Sequence, residues 1–270
     1  MSAERVPMTA AAPERTVLLG RGVRTLLERE LRRFLRISGQ TIFSPLITTS
    51  LYFVVFGLSI GSRLNEIEGV PYIRFIVPGL IGLGVVTNAL VNTSSSLFAM
   101  KIQGTIVDLL VTPLSYGEML LAFLFASVVR AMIIGALMWM VAGCFTTFQI
   151  AHPLFTVVAL LGIALAFAAL GFIVGIWADK FEQVNFVPAF VISPLTFLGG
   201  VFYSIKNIPG ALSLITRLNP VFYLIDLVRY GMLGVHDAPL AMGAGMLAFL
   251  LVGALGVAYA MLRSGYKLRG

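Results

Sequence analysis

The run FASVVRAMIIG, residues 125–135, sets a single arginine, Arg130, among apolar residues. A guanidinium keeps its charge and offers five N–H donors, so it can hold an anion or donate to carbonyls and amides. Upstream, Asn88, Asn92, Ser95 and Ser96 fall at i, i+4, i+7 and i+8, which puts them on one face of an otherwise apolar helix. These five residues could flank a cavity that receives the anionic or polar head of a substrate. They could equally be structural, with Arg130 donating to carbonyls and to the Asn and Ser groups and so fixing one helix against the next. The two readings are compatible, and the sequence leaves both open.

Catalytic chemistry has no comparable candidates. His152 and His236 stand singly beside loops and read as loop residues, not as metal ligands. The single cysteine, Cys144, excludes an intrachain disulfide and a cysteine-based metal cluster. No G-x-x-x-x-G-K-[ST] loop is present to cradle phosphates. The chain is therefore not expected to be an enzyme, to bind a metal or to carry a cofactor. Asp179 and Glu182, in ADKFEQ, read as solvated loop charges.

The elements that position Arg130 follow from composition. Of 270 residues, 59% are hydrophobic and only 11% charged, with a mean hydropathy of +0.96. A soluble domain carries about a quarter charged residues. An all-α integral membrane protein is predicted, because the apolar runs are continuous and far longer than the alternating segments of about ten residues in a barrel. Six transmembrane helices are expected, near 42–61, 75–99, 119–143, 154–178, 186–203 and 240–262. Arg130 then lies deep in span three, where facing lipid would cost about 2.5–3.5 kcal/mol. It must face protein or water. Ala164, Ala168, Gly171 and Gly175 form a small-residue stripe on span four, suited to tight helix packing.

Residues 1–41 carry eight arginines, and thirteen of the basic residues fall on the side holding both termini against five on the other. Both termini are therefore expected to be cytoplasmic. The net charge of +7 fits anionic lipid and topology, not nucleic acid. The first forty residues contain no apolar signal-peptide core, and 1–22 read as a disordered cytoplasmic N-terminus. Within 23–40, Val23, Leu26, Leu27, Leu31, Phe34 and Leu35 make one helical face and arginines the other, which favours an amphipathic helix in the cytoplasmic headgroup layer. A solvated helix held by Glu28–Arg32 and Glu30–Arg33 pairs is the alternative. Residues 204–234 are too charged to span and too apolar for a free loop, so an external re-entrant helical hairpin is expected between spans five and six.

Between spans two and three runs KIQGTIVDLLVTPLSYGE, residues 101–118. Residues 105–111 suit a short helix with Asp108 on its polar side and Ile106, Leu109 and Leu110 on its apolar side, ended by Pro113. Such a helix could lie on the membrane or enter a partner's groove. The stretch GTIVDLLVTPLS resembles the Gly-Thr-(Ile/Leu)-x-(Asp/Glu)-Leu-Leu-x-(Thr/Ala)-Pro-Leu-Ser loop of ABC-2 type transporter permeases. The resemblance continues in FEQVNFVPAFVISPLTFLGGVFYSI and LNPVFYLIDLVRYGMLG, and is nearest to bacterial daunorubicin-resistance and nodulation-factor-export permeases.

The resemblance implies that 41–270 is an ABC-2 transmembrane domain in the bacterial cytoplasmic membrane, working as a homodimer with two separate ATP-binding-cassette ATPase subunits that hold the ATP and magnesium. It implies that Gly104, Thr105, Ile106, Asp108, Leu109, Leu110, Thr112 and Pro113 form the coupling segment seated on the ATPase. It also implies that 23–37 is the connecting helix and that the exported substrate is amphipathic: a lipid, a lipid-linked glycan or a hydrophobic drug. Lys101-Ile102-Gln103 stands where the family pattern has a more acidic lead-in. The rival functions are an ATP-independent secondary transporter, which would want intramembrane carboxylates or histidines, and a membrane scaffold.

Overall fold

The computed structural model describes residues 24–30, 32–33, 38–60, 66–111, 114–146, 150–207 and 210–268. The expected N-terminal segment 1–22 lies outside them. The described chain is mostly helical. Its opening helix, α1, covers 24–30 and is followed by helical residues 32–33. Then come α2 (Ser38–Tyr52), continued as a π-helix over Phe53–Ile60, and a two-residue antiparallel ladder of β1 (Glu66–Ile67) and β2 (Val70–Pro71). The long helices α3 (Tyr72–Ile102), α5 (Tyr116–Gly143) and α6 (Pro153–Trp177) follow, with the short α4 (Thr105–Val111) between the first two. The chain ends in α7 (Phe181–Phe186), a π-helix over Val187–Ile192, α8 (Ser193–Phe197), α9 (Ala211–Leu218), α10 (Pro220–Leu233) and α11 (Leu240–Ser264).

Four of these, α3, α5, α6 and α11, are long and apolar enough to cross a membrane. They coincide with expected spans two, three, four and six. Where span one was expected, the helix is interrupted by its π-helical half; where span five was expected, helical residues stop at Phe197, ahead of a turn at 198–200. The prolines of that segment do not break it. Pro188 and Pro194 sit where the continuous helical run changes from α to π winding and back, a local change of ladder that accommodates a residue without an N–H donor.

The order of the layers follows from burial. Helix α3 is buried over 83% of its most apolar stretch and α11 over 11%, so α3 is the central post and α11 the outer wall. At 31 residues, α3 is about 46 Å long, well beyond the ~30 Å of hydrocarbon. Helices α3 and α6 meet through the predicted small-residue stripe: Ala164 and Ala168 are fully buried. A Cβ built on Gly171 would lie 2.3 Å from the Leu90 carbonyl oxygen, and one on Gly175 would lie 2.9 Å from Leu97 Cβ. No side chain fits between the backbones at Gly171. Gly171→Ala is therefore expected to force the two helices apart, costing about 1–3 kcal/mol, and to show as a clear fall in the thermal unfolding midpoint of the purified chain.

The segment 204–234 does form two short helices, α9 and α10, but α10 is no surface element. Val221, Phe222, Leu224, Ile225 and Val228 are buried, and α10 packs against α6, α11 and α3. Asn219 caps it, its Oδ1 accepting from the Val221 N–H at 3.0 Å while its Nδ2 donates to the Leu195 carbonyl. His152 stacks on Tyr230 of α10 with centroids 4.9 Å apart, and His236 meets the same ring edge-on at 5.7 Å. The two histidines thus pack around one tyrosine, consistent with a loop role.

Candidate functional site

Two regions carry polar groups that packing alone does not require. The first is the segment between α3 and α5. The chain leaves α3 through a tight reversal in which the Gln103 N–H donates to the Ala99 carbonyl at 3.0 Å and the Gly104 N–H to the Lys101 carbonyl at 3.2 Å. Gly104 has φ of +71°, a conformation that costs a residue with a Cβ about 1–2 kcal/mol. The reversal launches α4, and Ser115 and Glu118 then form a reciprocal capping box that starts α5. The Ser115 hydroxyl and backbone N–H hold the Glu118 carboxyl below its usual range.

On α4, Asp108 is exposed and Ile106 buried, as the expected polar and apolar sides have them. Ile106 is buried in the core, so it anchors the segment and does not face outward. The large apolar residues on the surface are Ile102, Val107 and Val111, beside exposed Asp108. The side chains of Leu109 and Leu110, and all of Thr112 and Pro113, lie outside the described residues. Lys101, the departure from the acidic lead-in, has turned inward. Its Nζ donates to the Ile176 and Ala178 carbonyls at 3.0 and 2.8 Å and to Asp179 Oδ1 at 3.0 Å. Lys267 Nζ reaches the other oxygen of Asp179 and the Trp177 carbonyl. Lys267 and Lys101 hold the Asp179 carboxyl below its usual range. Asp179 was read as a solvated loop charge, and its side chain is exposed; it is also the pin that joins the end of α3, the end of α6 and the C-terminal tail.

The second region lies around Arg130. Its Nη1 donates to Asn92 Oδ1 at 2.7 Å, and Asn92 Nδ2 donates to Ser127 Oγ at 2.8 Å. Thr93 Oγ1 meets the same Ser127 oxygen at 2.7 Å. From α1, Arg33 Nη2 reaches the Asn92 carbonyl and Oδ1 at 3.3 and 3.4 Å and Glu30 Oε2 at 3.4 Å. Ser96 Oγ donates to Glu30 Oε2, and the Glu30 side chain is 3% exposed. Burial lowers the Arg33 pKa below the ordinary arginine value, with Glu30 opposing and Arg29 adding to the shift.

The predicted stripe therefore divides. Asn92 and Ser96 join Arg130. Ser95 bonds only the Asn92 carbonyl, at 3.2 Å. Asn88 donates to the Gly84 carbonyl at 2.9 Å and lines a separate cleft. Sequence reasoning missed Ser127, although it lies three residues before Arg130 and so on the same face. The Glu30–Arg33 pair of the alternative, solvated reading of this helix exists, but with its Glu30 carboxylate buried against α3. Of the amphipathic helix's expected apolar face, Leu26 is buried and Leu27 half-buried; Val23, Leu31, Phe34 and Leu35 lie outside the described residues.

A third cluster, not anticipated, ties α10 to its surroundings. Arg229 is 1% exposed. It donates to the Gly200 carbonyl, lies 3.6 Å from Asp226 and 3.5 Å from Asp237, and covers the Phe75 ring at 4.1 Å. Asp226 accepts from the N–H groups of Asp237 and Ala238 at 2.8 and 2.9 Å. Ser204 and Lys206 complete the Asp237 environment, and Lys206 also pairs with Glu68 at 2.7 Å. Among the described residues, no group of three or more His, Cys, Asp or Glu could hold a metal ion.

The short helix α4 lies between two long apolar helices, α3 and α5. Residues 21–233 match the family model of the ABC-2 type transporter. The chain belongs to the ABC-2 transporter family. The ABC-2 chain is 37% identical over 247 residues to the inner membrane transport permease YadH of Escherichia coli (strain K12), covering 92% of this chain and 96% of that one. It is 30% identical over 202 residues to nodulation protein J of Rhizobium meliloti (strain 1021), covering 74% and 76%, and 30% identical over 217 residues to nodulation protein J of Sinorhizobium fredii, covering 77% and 81%. With its long apolar helices, this ABC-2 chain is a multi-pass membrane protein, the transport subunit of an ABC transporter.

Proposed function

We propose that the chain is the permease subunit of an ATP-driven exporter in the bacterial cytoplasmic membrane. It works as a homodimer on which two ATP-binding-cassette ATPases sit. Six segments cross the membrane: the four long helices, the α2 segment with its π-helical continuation, and the segment from α7 to α8. Both termini are cytoplasmic, and α9 and α10 form the re-entrant hairpin on the far side. Residues 104–113 couple to the ATPase, and Arg130, Asn88, Asn92, Ser95 and Ser96 border the path of an amphipathic substrate.

The observation that carries the reading is α4. Val107 and Val111 sit one helical turn apart, exposed beside Asp108, on a helix whose Ile106 is locked into the core. Exposed apolar residues on a short cytoplasmic helix fit a groove in a soluble partner. The Lys101–Asp179–Lys267 pin then gives the motion of α4 a rigid route to α6 and the tail. ATP binding can shift the permease between access states only through different affinity of the closed ATPases for those states.

Val107→Asp combined with Val111→Asp is expected to cut co-purification with an ATP-binding-cassette ATPase encoded beside the permease by at least about tenfold, while leaving permease levels in the membrane unchanged. Undiminished co-purification would remove α4 from the coupling role.

A further inference from the structure

We infer that Lys267 of the C-terminal tail is a positioning residue for coupling: it clamps the end of α6 to the root of α4, so that movement of α4 reaches α7. This rests on the coupling role proposed for α4 and deepens it. It adds an element that lies outside residues 21–233, the part of the chain that the family model matches.

The tail begins as an ordinary helix ending. Helix α11 stops at Gly265, whose φ is +69°. The Gly265 N–H donates to the Leu262 carbonyl and the Tyr266 N–H to the Met261 carbonyl, both at 3.2 Å, as glycine-ended helices do. Leu268 is then buried in the core. Lys267, between them, is the exception. Its φ of +53° lies in the left-handed region, where a Cβ crowds the following carbonyl. Among the described residues, Glu68 is the only other non-glycine residue there. Such a conformation persists only where the surroundings impose it, and it gathers at switch regions.

The bend puts the Lys267 ammonium group where two loads meet. It donates to the Trp177 carbonyl at 3.0 Å and to one oxygen of Asp179. Lys101 takes the other Asp179 oxygen, and also the carbonyls on either side of Trp177, those of Ile176 and Ala178. A helix leaves its last carbonyls without N–H partners; at the end of α6, two lysines from opposite sides supply them. Lys101 stands just ahead of Gly104, where the chain reverses into α4. Asp179 stands just ahead of α7, and its N–H donates to Gln183 Oε1 within α7 at 2.7 Å. Phe98, Ala178 and Val184 pack beside this junction. With Lys267 seated, the carboxylate and the backbone at 176–178 are held together, so a pull on Lys101 carries the whole turn. Without it, the Asp179 side chain swivels after Lys101 and the turn stays behind. The three side chains are between 18% and 52% exposed, and ion pairs so placed are weak. A strained residue on weak pairs can leave and reseat, as the buried Arg229 cluster cannot.

The test follows deuterium uptake by the permease–ATPase complex in lipid nanodiscs, with and without ATP, beside the unfolding midpoint of the permease alone. Lys267→Asn removes the ammonium group and tolerates the left-handed backbone. Lys267→Arg keeps a cation that reaches both partners. ATP should change uptake at 101–111 in the parent and in both variants. At 178–187 it should change uptake in the parent and in Lys267→Arg, and about fivefold less in Lys267→Asn, with the midpoint not lowered. An undiminished response at 178–187 in Lys267→Asn overturns the inference. So does a lost response that comes with a lower midpoint, which marks a merely structural anchor. Absence of any response at 101–111 in the parent strikes the coupling role of α4 itself, whereas the first two outcomes leave that role standing.

Discussion

Arg229→Met is expected to lower the stability of the chain by about 3 kcal/mol or more, read as a loss of monodisperse protein after solubilisation and a large fall in the unfolding midpoint. Removing one partner of a buried ion pair costs about 3–5 kcal/mol, because the other charge stays behind without its counter-ion. Here two carboxylates stay behind. Asp226 keeps two backbone N–H donors and Asp237 keeps Ser204, the Ile205 N–H and Lys206, so the effect falls at the lower end of that range. Arg229→Lys is no rescue. A compact ammonium cannot reach the Gly200 carbonyl and both carboxylates while lying flat on Phe75. Pairing Arg229→Met with Asp226→Asn should recover part of the loss, since the uncompensated charge is gone, although the single Asn oxygen can accept from only one of the Asp237 and Ala238 N–H groups. A double variant no better than the single one would show that the arginine acts through packing.

How much of this was legible in the sequence differs between elements. Long uncharged runs specify helices by composition alone, so α3, α5, α6 and α11 fell where expected. The glycine–alanine stripe announced a close helix contact because only small residues permit one, and Gly171 against Leu90 is that contact. The burial of α10 was not legible. Asp226 and Arg229 counted only as charges that keep 204–234 from spanning, because the partners that make them tolerable inside, Asp237 and the Gly200 carbonyl, come from other segments. The inward turn of Lys101 was not legible for the same reason: its partners include carbonyls at the end of α6, and carbonyls leave no mark in a sequence. The polar stripe on α3 was seen, but its division was not. Residues at i and i+4 share a helical face, yet Asn88 meets α2 and α8 while Asn92 meets α1 and α5.

That division makes Glu30 the second residue whose loss should be severe. Two guanidinium groups, from Arg33 and Arg130, converge on the Asn92 side-chain oxygen, and Glu30 is the carboxylate that α1 brings to them. Removing the carboxylate leaves the Arg33 guanidinium without the counter-charge that Glu30 supplies and Ser96 without its acceptor. Glu30→Ala should therefore cost about 3 kcal/mol or more and free α1 from Ser96, measurable as faster proteolysis at 24–33 and less folded permease. Arg130→Gln should cost less, because glutamine can still donate to the Asn92 side-chain oxygen that Arg130 holds at 2.7 Å. The same variant then separates the two readings of Arg130. If the folded Arg130→Gln permease exports as well as the parent in the presence of its ATPase, the guanidinium serves only to hold span three to span two. If export falls more than about tenfold while the unfolding midpoint stays put, the charge itself acts on the substrate.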